Sequence, residues 1–459
     1  MDNSTFLFTP EDTICAPATP LVNAAIAIIR ISGPDSLAAA KNLFSRPDSI
    51  EPRTAQYGAI IESDKPLDDV ILVYYPSPRS YTGEDMIEIF CHGNQLIVRK
   101  IINLLLEKNI RIAEPGEFTR RAFLNGKIDL TEAEAINHII TARSEWEIDA
   151  AIRQKHGSLR DTINTLRSNI ISLKADIEAG IDFIEEDIEF ISSEESLSMA
   201  GDILASIESL LLRCRTGEKL SHGIDVAIAG RPNVGKSSIL NLMLNQERAI
   251  VSEIPGTTRD MIRESIQVEG VRINLIDTAG IDMPGDEIER IGMEISHRNI
   301  EKASLVIMVL DSSSGVSKGD IDIIEGIGDK NCIFLMNKAD ISTDSAKEKV
   351  RQALGGKGIL FSAKTGQGLD LLTRAIADIL KNEFIDYEDS FIAEIRVIQL
   401  LEKAMQDLRS VRELISTGEP VEIIASELQS VMDRLSEITG EITPDDILDS
   451  VFSRFCIGK

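Results

Sequence analysis

Residues 230–237 read Gly-Arg-Pro-Asn-Val-Gly-Lys-Ser, and they follow an apolar run at residues 226–229. The spacing of the glycines and the lysine fits a loop whose backbone N–H groups surround phosphate, between a buried strand and a helix N-terminus. In such a loop we expect Lys236 to contact the β- and γ-phosphates and Ser237 to bind Mg²⁺. The stretch therefore predicts a nucleotide-binding α/β domain.

Three further motifs follow in the order found in guanine-nucleotide-binding domains. Residues 277–280 read Asp-Thr-Ala-Gly, residues 337–340 read Asn-Lys-Ala-Asp, and residues 362–364 read Ser-Ala-Lys. The Asp340 carboxylate can accept both N–H groups on one edge of guanine, a pattern that adenine lacks. The Ser-Ala-Lys motif at residues 362–364 would close over the base. Four motifs in order therefore predict a domain that binds GTP rather than ATP.

Residues around the γ-phosphate are expected from two of these segments. Residues 256–260 read Gly-Thr-Thr-Arg-Asp, and we choose Thr258 as the threonine that binds Mg²⁺ when the γ-phosphate orders the loop. Asp277 would hold Mg²⁺ through water, and Gly280 would donate its N–H to the γ-phosphate. This part of the chain thus predicts a switch segment.

The position after the Asp-Thr-Ala-Gly motif departs from many regulatory GTPases, which place a glutamine there to orient the attacking water. Here it is Ile281, which cannot do so. Glu287 and Glu289 follow nearby, and the helical pattern alone does not choose between them. We also expect a monovalent cation, held by Asn233 and loop carbonyls, to compensate negative charge in place of an arginine.

The composition is that of a folded protein. The length of 459 residues suggests about three domains. We expect no transmembrane helix and no signal peptide, because no run of about 18 apolar residues exists and the N-terminus lacks a basic start. Five scattered cysteines indicate free thiols and a cytoplasmic protein. The net charge of −27 argues against a protein whose whole surface binds nucleic acid.

The segments on either side of the nucleotide motifs predict two further domains. Apolar strands at residues 25–33, 69–75 and 86–91 indicate an N-terminal α+β domain. Apolar residues recur at helical spacing before residue 218 and again after residue 395, and these two helical stretches need partners. We predict a multidomain α/β protein with a discontinuous helical domain and an inserted nucleotide-binding domain. The predicted boundaries are 1–120, 121–218 (first helical part), 219–381 (nucleotide-binding domain) and 382–459 (second helical part).

Several other stretches are characteristic of one family: Asp-Thr-Ile at 12–14, Tyr-Thr-Gly-Glu-Asp at 81–85, Pro-Gly-Glu-Phe at 115–118, Arg-Ala-Phe-Leu-Asn-Gly-Lys at 121–127 and Cys-Ile-Gly-Lys at 456–459. With the four nucleotide motifs, they make the whole chain resemble the MnmE (TrmE) family of tRNA-modification GTPases. One departure follows Ala-Thr-Pro, where family members commonly have Gly-Arg-Gly-Gly. Asn23 stands here in place of the arginine, which puts the local loop shape in question.

The resemblance implies an N-terminal folate-binding and dimerising domain, a split helical domain and an inserted P-loop GTPase domain with a Ras-like fold. It implies a homodimeric GTPase that uses Mg²⁺ and is stimulated by K⁺. With an FAD-dependent partner of the MnmG type, the family installs a carboxymethylaminomethyl or aminomethyl-type group on the wobble uridine of certain tRNAs. The carbon comes from a tetrahydrofolate derivative, either 5-formyl- or methylene-tetrahydrofolate.

The resemblance also assigns residues to roles. It favours Glu289 over Glu287 as the residue that orients water, beside Lys236 and Thr258 as catalytic residues. Ser237 and Thr258 are the Mg²⁺ ligands, and the K⁺ positions are Asn233, Ser252, Ile254 and Thr257. The folate positions are Arg30, Glu88, Lys127 and Lys459. The GTP-binding set is Asn233, Val234, Gly235, Lys236, Ser237, Ser238, Ser252, Glu253, Ile254, Pro255, Gly256, Thr257, Thr258, Asp277, Thr278, Ala279, Gly280, Asn337, Lys338, Asp340, Ser362, Ala363 and Lys364.

Without the resemblance, the four folate positions would be read as ordinary surface charges, although Arg30 interrupts an otherwise apolar strand. Cys456 has three interpretations. A buried structural cysteine comes first, because free cysteines are often buried. A reactive thiol near the folate comes second, and a prenylation signal is rejected because Gly458 and Lys459 do not fit it.

Two other function classes remain as alternatives to a tRNA-modifying enzyme. One is a pure GTPase switch in ribosome- or membrane-associated processes, without one-carbon chemistry. The other is a folate-dependent transferase with a vestigial nucleotide site, which the intact nucleotide motifs disfavour. Folate binding separates the tRNA-modifying enzyme from the pure GTPase switch, since a pure switch would bind no folate.

Overall fold

The computed structural model describes residues 12–182, 192–246, 264–277, 298–383 and 387–459. The chain forms two compact units. The first unit comprises the residues up to Asn137 together with Lys155–Leu204 and Lys403–Lys459. The second unit comprises His138–Gln154 and Ala205–Glu402.

The strands are β1 (Ile14–Pro17), β2 (Ala24–Ser32), β3 (Gln56–Glu62), β4 (Lys65–Tyr75), β5 (Met86–Gly93), β6 (Arg111–Ile112), β7 (Ile224–Ala229), β8 (Glu264–Val268), β9 (Val271–Asp277), β10 (Leu305–Asp311), β11 (Asn331–Asn337) and β12 (Ile359–Leu360). The helices are α1 (Ser36–Leu43), α2 (Gln95–Leu106), α3 (Glu117–Leu124), α4 (Leu130–Thr141), α5 (Glu145–Lys155), α6 (Ser158–Asp182), α7 (Ser193–His222), α8 (Lys236–Gln246), α9 (Lys318–Ile327), α10 (Asp344–Ala353), α11 (Leu369–Glu383), α12 (Ile395–Thr417), α13 (Val421–Thr439) and α14 (Asp445–Phe452).

The first unit contains a six-stranded sheet in the order β3-β4-β5-β2-β1-β6. Neighbouring strands are antiparallel except for β1 and β6, which are parallel. In β2 the buried Ile29 and Ile31 alternate with the half-buried Arg30, so the strand turns its apolar side chains toward the core and Arg30 to the opposite face. The alternation places a charged residue in the middle of the sheet without burying it in the apolar core.

The helical part of the first unit joins two segments that are far apart in the sequence. Helix α6 packs against α13. Their buried residues recur at three- and four-residue spacing, such as Leu159, Ile163 and Leu166 on α6 and Leu428 and Val431 on α13. Each helix has one apolar stripe, and packing the two stripes together removes both from water. The predicted discontinuous helical domain is therefore confirmed.

The second unit is a doubly wound α/β domain. Its sheet has the order β12-β11-β10-β7-β9-β8, and only the β8–β9 pair is antiparallel. Residues 305–310 of β10 are all buried, as expected for a parallel strand that is covered on both faces. The carboxyl ends of the parallel strands meet at one edge of the sheet, which is where ligands bind in this class of fold.

The predicted fold class is thus confirmed: an N-terminal α+β part, a helical part built from distant segments, and an α/β domain of the P-loop type. Across the ranges that the structure describes, no helix combines the length and the apolar character needed to cross a bilayer.

Candidate functional site

The phosphate loop connects the end of β7 to the start of α8. Gly235 has φ of +103°, and a Cβ there would lie 2.3 Å from the side-chain nitrogen of Asn337, so only glycine fits. Lys236 is buried at the first position of α8, and its Nζ donates to the carbonyl oxygens of Gly230 at 2.8 Å and Arg231 at 2.9 Å. The loop therefore holds an ammonium group among backbone carbonyls, beside the positive end of a helix.

Asn337 joins the phosphate loop to the loop after β12. It ends β11 and is buried, with 2% of its surface exposed. Its Nδ2 donates to the carbonyl oxygen of Val234 at 2.7 Å, and its Oδ1 accepts from the backbone N–H of Ala363 at 3.0 Å. One side chain thus fixes the distance between the first and the last of the four sequence motifs.

The other residues of the predicted guanine motifs lie around Asn337. Ser362 Oγ donates to Asp340 Oδ1 at 2.8 Å, and the Asp340 side chain is exposed at the surface. Lys338 has φ of +63°, and its Nζ lies 2.6 Å from Asp311 Oδ2. Burial raises the pKa of Asp311, but hydrogen bonds from Lys338 and Ser313 outweigh burial, so the net pKa is below the ordinary value. The lysine is therefore held by a carboxylate that stays charged at neutral pH.

Arg231 in the phosphate loop forms an ion pair with a buried carboxylate. Its Nε donates to Asp320 Oδ1 at 2.8 Å. Asp320 is fully buried, and its Oδ2 accepts from the backbone N–H and the hydroxyl of Ser317, which caps the N-terminus of α9. The same carboxylate thus completes a helix cap and pairs with a side chain of the phosphate loop.

Several predicted residues fall outside the described part of the chain. They are Ser252, Glu253, Ile254, Pro255, Gly256, Thr257, Thr258, Thr278, Ala279, Gly280, Ile281, Glu287 and Glu289. Asp277 is described only as the last residue of β9. Within the described part, Asn233 stands in the phosphate loop with φ of +62°, and Ser237 and Ser238 follow Lys236 at the start of α8. Lys364 is exposed beside Ala363.

A second cluster of predicted residues lies in the first unit, where Arg30 of β2 pairs with Glu88 of β5. The two residues are direct partners in the antiparallel register. Arg30 donates to Glu88 Oε1 from Nε at 3.1 Å and from Nη2 at 2.8 Å. The guanidinium carbon lies 5.4 Å from the ring centroid of Tyr81 and 5.6 Å from that of Phe118. Two aromatic faces and one carboxylate therefore hold the cation in place.

The last residues of the sequence lie beside this pair. Arg30 Nη1 donates to the carbonyl oxygen of Gly458 at 3.2 Å. Gly458 has φ of +92°, and a Cβ there would lie 2.2 Å from the carbonyl oxygen of Pro17, so the close approach requires glycine. The Lys459 pKa is lowered, first by burial and then by the charges of Arg30 and Lys155. Three of the four predicted folate positions, Arg30, Glu88 and Lys459, therefore lie together.

The fourth predicted position, Lys127, lies on a neighbouring segment. Its Nζ donates to the carbonyl oxygen of Pro78 at 3.0 Å, and its side chain is exposed. Cys456 is exposed, so the interpretation of a buried structural cysteine is wrong. Its carbonyl oxygen accepts the N–H of Lys459 at 3.3 Å, which closes a turn over the last four residues. Asn23, in the segment that departs from the family pattern, is exposed.

A cavity of about 440 Å³ opens beside the Arg30–Glu88 pair. The Tyr75 hydroxyl points to Glu88 Oε2 across 3.5 Å, and the Tyr75 pKa is raised, first by burial and then by the Glu88 charge. The walls combine aromatic rings with cationic and anionic side chains, an arrangement that suits a planar polar ligand. The lining residues are Arg30, Arg53, Tyr75, Arg79, Ser80, Tyr81, Met86 and Glu88.

A buried ionic network supports this part of the first unit. The Arg121 side chain is fully buried and donates to Glu84 Oε2 at 3.1 Å and to Glu117 Oε1 at 3.0 Å. Glu84 also accepts from the Ser32 hydroxyl at 2.7 Å, at the end of β2. The network therefore ties α3 to the strand that carries Arg30.

Several residues of both clusters were not predicted from the sequence. Asp311 could have been found, because it ends a buried parallel strand, where carboxylates commonly face ligands. Asp320 stands at capping-box spacing after Ser317, which indicates a helix start but not the ion pair with Arg231. Arg53 and Arg79 lie in irregular segments, and no spacing distinguishes them from ordinary surface charges. Their roles appear only once distant segments are brought together.

Comparison with known proteins covers almost the whole chain. A family profile described as the MnmE helical domain matches residues 130–456, and one described as the GTP-binding protein TrmE N-terminus matches residues 13–127. The tRNA modification GTPase MnmE of Thermotoga maritima is 40% identical over 98% of this chain and 100% of its own length. The proteins of the same name from Carboxydothermus hydrogenoformans and Aquifex aeolicus are 39% and 41% identical, again over 98% of this chain and their full lengths.

Proposed function

The chain belongs to the MnmE family of tRNA modification GTPases, and from that premise we propose that it couples GTP hydrolysis to modification of the wobble uridine of tRNA. The full set of GTP motifs and the family identity along nearly the whole chain support the GTPase activity. The pocket at Arg30 and Glu88, with the last residues of the chain against it, supports a second, one-carbon site. Its presence is the observation that favours an enzyme over a pure GTPase switch.

The GTP site uses the described loops in distinct ways. Lys236, at the start of α8, exchanges its two backbone carbonyl partners for phosphate oxygens, which stabilises charge that builds up during hydrolysis. Asp340 accepts hydrogen bonds from the guanine edge, and Ser362 orients that carboxylate. Mg²⁺ would be held by the Ser237 hydroxyl and Thr258, and it would neutralise phosphate charge. The Ser237 position fits, because it follows Lys236 at the helix N-terminus.

Potassium stimulation is part of the proposal. Asn233, with its side chain exposed in the phosphate loop, would contribute one oxygen, and Ser252, Ile254 and Thr257 would contribute the others. Glu289 would orient the attacking water, since Ile281 cannot. We expect hydrolysis to fall strongly when K⁺ is replaced with Na⁺ at equal ionic strength. Equal rates in the two salts would show that no specific monovalent cation takes part.

The one-carbon site would take a reduced folate such as 5-formyl- or methylene-tetrahydrofolate. Glu88 Oε1 accepts from Arg30, and among the residues that the structure describes Oε2 accepts only the long hydrogen bond from Tyr75, so an acceptor is available at the cavity. A pterin edge carries adjacent N–H groups, and such a carboxylate can accept hydrogen bonds from them. Arg30 holds Glu88 in place, and the positive charges of Lys127 and Lys459 make the site favourable for an anionic ligand. Cys456, exposed beside Lys459, is the candidate reactive thiol.

Partners complete the proposal. We place a homodimer in complex with an FAD-dependent protein of the MnmG type, acting on tRNA. A chain with a net charge of −27 repels tRNA over most of its surface, so binding needs a local basic patch or a more basic partner. We expect weak, salt-sensitive tRNA binding by this chain alone and tighter binding by the complex. Equal affinities with and without the flavoprotein would contradict this view.

Two pairs of variants test the two sites separately. Lys236→Ala should lower GTP turnover by about 10²–10³-fold, because it removes a preorganised cation from the reacting phosphates. Lys330→Ala is the matched control, since the Lys330 ammonium also donates to a backbone carbonyl, that of Ala303 at 2.9 Å, but lies outside the nucleotide motifs. Equal losses in both variants would indicate general destabilisation.

The folate pair is Glu88→Ala with Glu62→Ala as control. Glu62 forms an ion pair with Lys100 at 2.8 Å in the same unit, as Glu88 does with Arg30. Glu88→Ala should abolish 5-formyl-tetrahydrofolate binding, and Glu62→Ala should leave it unchanged. Complementation of cells that lack the protein, followed by mass analysis of wobble uridines, then links the site to the modification. Absence of folate binding by the intact protein would favour the pure switch.

A further inference from the structure

The cavity beside Arg30 and Glu88 has a second cationic wall that the proposed function does not use. Arg53 and Arg79 both line it, and both side chains are largely exposed to solvent. Arg53 Nη2 donates to the backbone carbonyl of Arg79 at 2.6 Å, which keeps the two residues adjacent. Within the ranges that the structure describes, neither guanidinium is paired with a carboxylate, whereas Arg30 is neutralised by Glu88.

The backbone holds Arg53 at this place in an unusual conformation. Arg53 has φ of +58°, a left-handed value that costs a residue with a side chain about 1 kcal/mol relative to glycine. Its N–H donates to the carbonyl oxygen of Tyr74 at 2.7 Å, so the turn is anchored to β4. The strained turn therefore presents a long cationic side chain at a position where glycine would fit more easily.

The sheet sets the distance between the Arg30–Glu88 pair and the cationic wall formed by Arg53 and Arg79. Glu88 of β5 is the register partner of Val73 of β4, and Arg53 bonds to Tyr74 on the opposite edge of β4. Glu88 and Arg53 are thus separated by two strand spacings, about 10 Å between backbones. Tyr75 and Tyr81 lie in the same cavity. A ligand with its pterin at Glu88 would extend away from Arg30 and reach the two free arginines with its tail.

The chemistry of the second wall indicates what that tail is. Arginine binds carboxylates in a paired, planar geometry, and a γ-linked glutamate chain offers one free carboxylate for every residue added. The rest of the protein is strongly acidic, so two unpaired guanidinium groups at one cavity form a local site for a polyanion. We propose that Arg53 and Arg79 bind the oligo-γ-glutamyl tail of a reduced folate and make the polyglutamate form the preferred ligand. This inference rests on the proposed folate site.

The test compares ligands that differ only in the tail. The full-length protein is titrated with 5-formyl-tetrahydrofolate carrying one glutamate and with the form carrying five, and the ratio of the two dissociation constants is measured. Arg53→Asn removes the charge while keeping a residue that tolerates a left-handed backbone, and Arg79→Gln removes the second charge. Arg99→Gln, an exposed arginine on α2, is the matched control. Circular dichroism verifies that each variant is folded.

We expect the wild type to bind the pentaglutamate at least about 10-fold more tightly, and each substitution at Arg53 or Arg79 to reduce that ratio about 3- to 10-fold. The preference should weaken between 0.05 and 0.5 M salt, because partly exposed charges are screened. Arg99→Gln should leave the ratio unchanged, and Arg53→Lys should retain part of it.

The outcomes separate this inference from the proposed function. If neither ligand binds, the folate site itself is wrong. If both bind with equal affinity, or if Arg99→Gln lowers the ratio as much as Arg53→Asn does, the folate site stands and the tail site is wrong. If the ratio stays the same but tRNA affinity falls in the Arg53 and Arg79 variants, the cationic wall serves nucleic-acid phosphates, which also overturns the inference.

Discussion

Replacing Asn337 with alanine should loosen the GTP-binding unit by an amount that can be worked out from its contacts. The side chain donates to the Val234 carbonyl at 2.7 Å and accepts from the Ala363 N–H at 3.0 Å. The alanine makes neither bond. The phosphate loop and the loop after β12 then lose the bridge that sets the distance between them.

The expected loss of stability has two parts: the hydrogen bonds that Asn337 no longer makes and the buried polar groups that lose their partner. Each hydrogen bond contributes about 0.5–1.5 kcal/mol net, and a buried polar group without a partner costs about 1–3 kcal/mol. Val234 is buried and Ala363 is half-buried, so water can replace the lost partner better at Ala363. We therefore expect the free energy of unfolding of the second unit to fall by about 2–4 kcal/mol.

The single tryptophan makes this measurable. Trp146 is the only tryptophan of the chain, it is 5% exposed in the core of the second unit, and its Nε1 donates to the Tyr387 carbonyl at 3.0 Å. Its fluorescence in a urea titration therefore reports unfolding of the unit that holds the GTP motifs. With a slope of about 3 kcal/mol per M, Asn337→Ala should lower the urea midpoint by about 1 M.

A second asparagine on the same strand provides the control. Asn331 begins β11, is exposed, and donates to Glu383 Oε2 at 3.2 Å. Asn331→Ala should change the free energy of unfolding by less than about 0.5 kcal/mol, since its partner stays in water. GTP affinity should fall in Asn337→Ala and remain in Asn331→Ala. Equal midpoints for the two variants would refute the reasoning that Asn337 bridges the loops.

Asp320, Glu117 and Cys456 can each be tested by a single substitution. Asp320→Ala should lower the free energy of unfolding by about 2–4 kcal/mol in the same fluorescence titration, because it removes a helix cap and leaves Arg231 without its carboxylate. An unchanged urea midpoint would contradict this expectation. Burial raises the Glu117 pKa, but arginine hydrogen bonds and charges outweigh it and the net pKa is lowered. The stability that Glu117 contributes is therefore present above the ordinary glutamate pKa and lost as the pH falls through the lowered pKa of the folded state, and Glu117→Gln should reduce that acid sensitivity in circular-dichroism titrations. In the native protein the exposed Cys456 should be the one thiol that reacts fast with a disulfide reagent at pH 8, because the other four cysteines are at least half-buried. The fast phase should be absent in Cys456→Ser.

The two clusters differ in how far the sequence could predict them. The phosphate loop is contiguous, and the glycines and Lys236 lie within eight residues, so spacing alone indicates its chemistry. The strands at residues 24–32, 65–75 and 86–93 were predicted to within a few residues, because their apolar runs end at glycine or proline. The exposed side chain of Cys456 was not predicted, since a short apolar terminal stretch looks the same in the core and at the surface.

The sequence by itself determined that this chain binds a guanine nucleotide, because the groups that surround the phosphates and the base occur in short motifs whose local geometry follows from their residues. Only the tertiary structure placed Arg30 against Glu88, 58 residues away, and against Gly458, 428 residues away. No local preference encodes such contacts, since they form when apolar faces of distant segments are buried together. The position of the exposed Arg53 and Arg79 beside that cavity is likewise visible only in the folded chain.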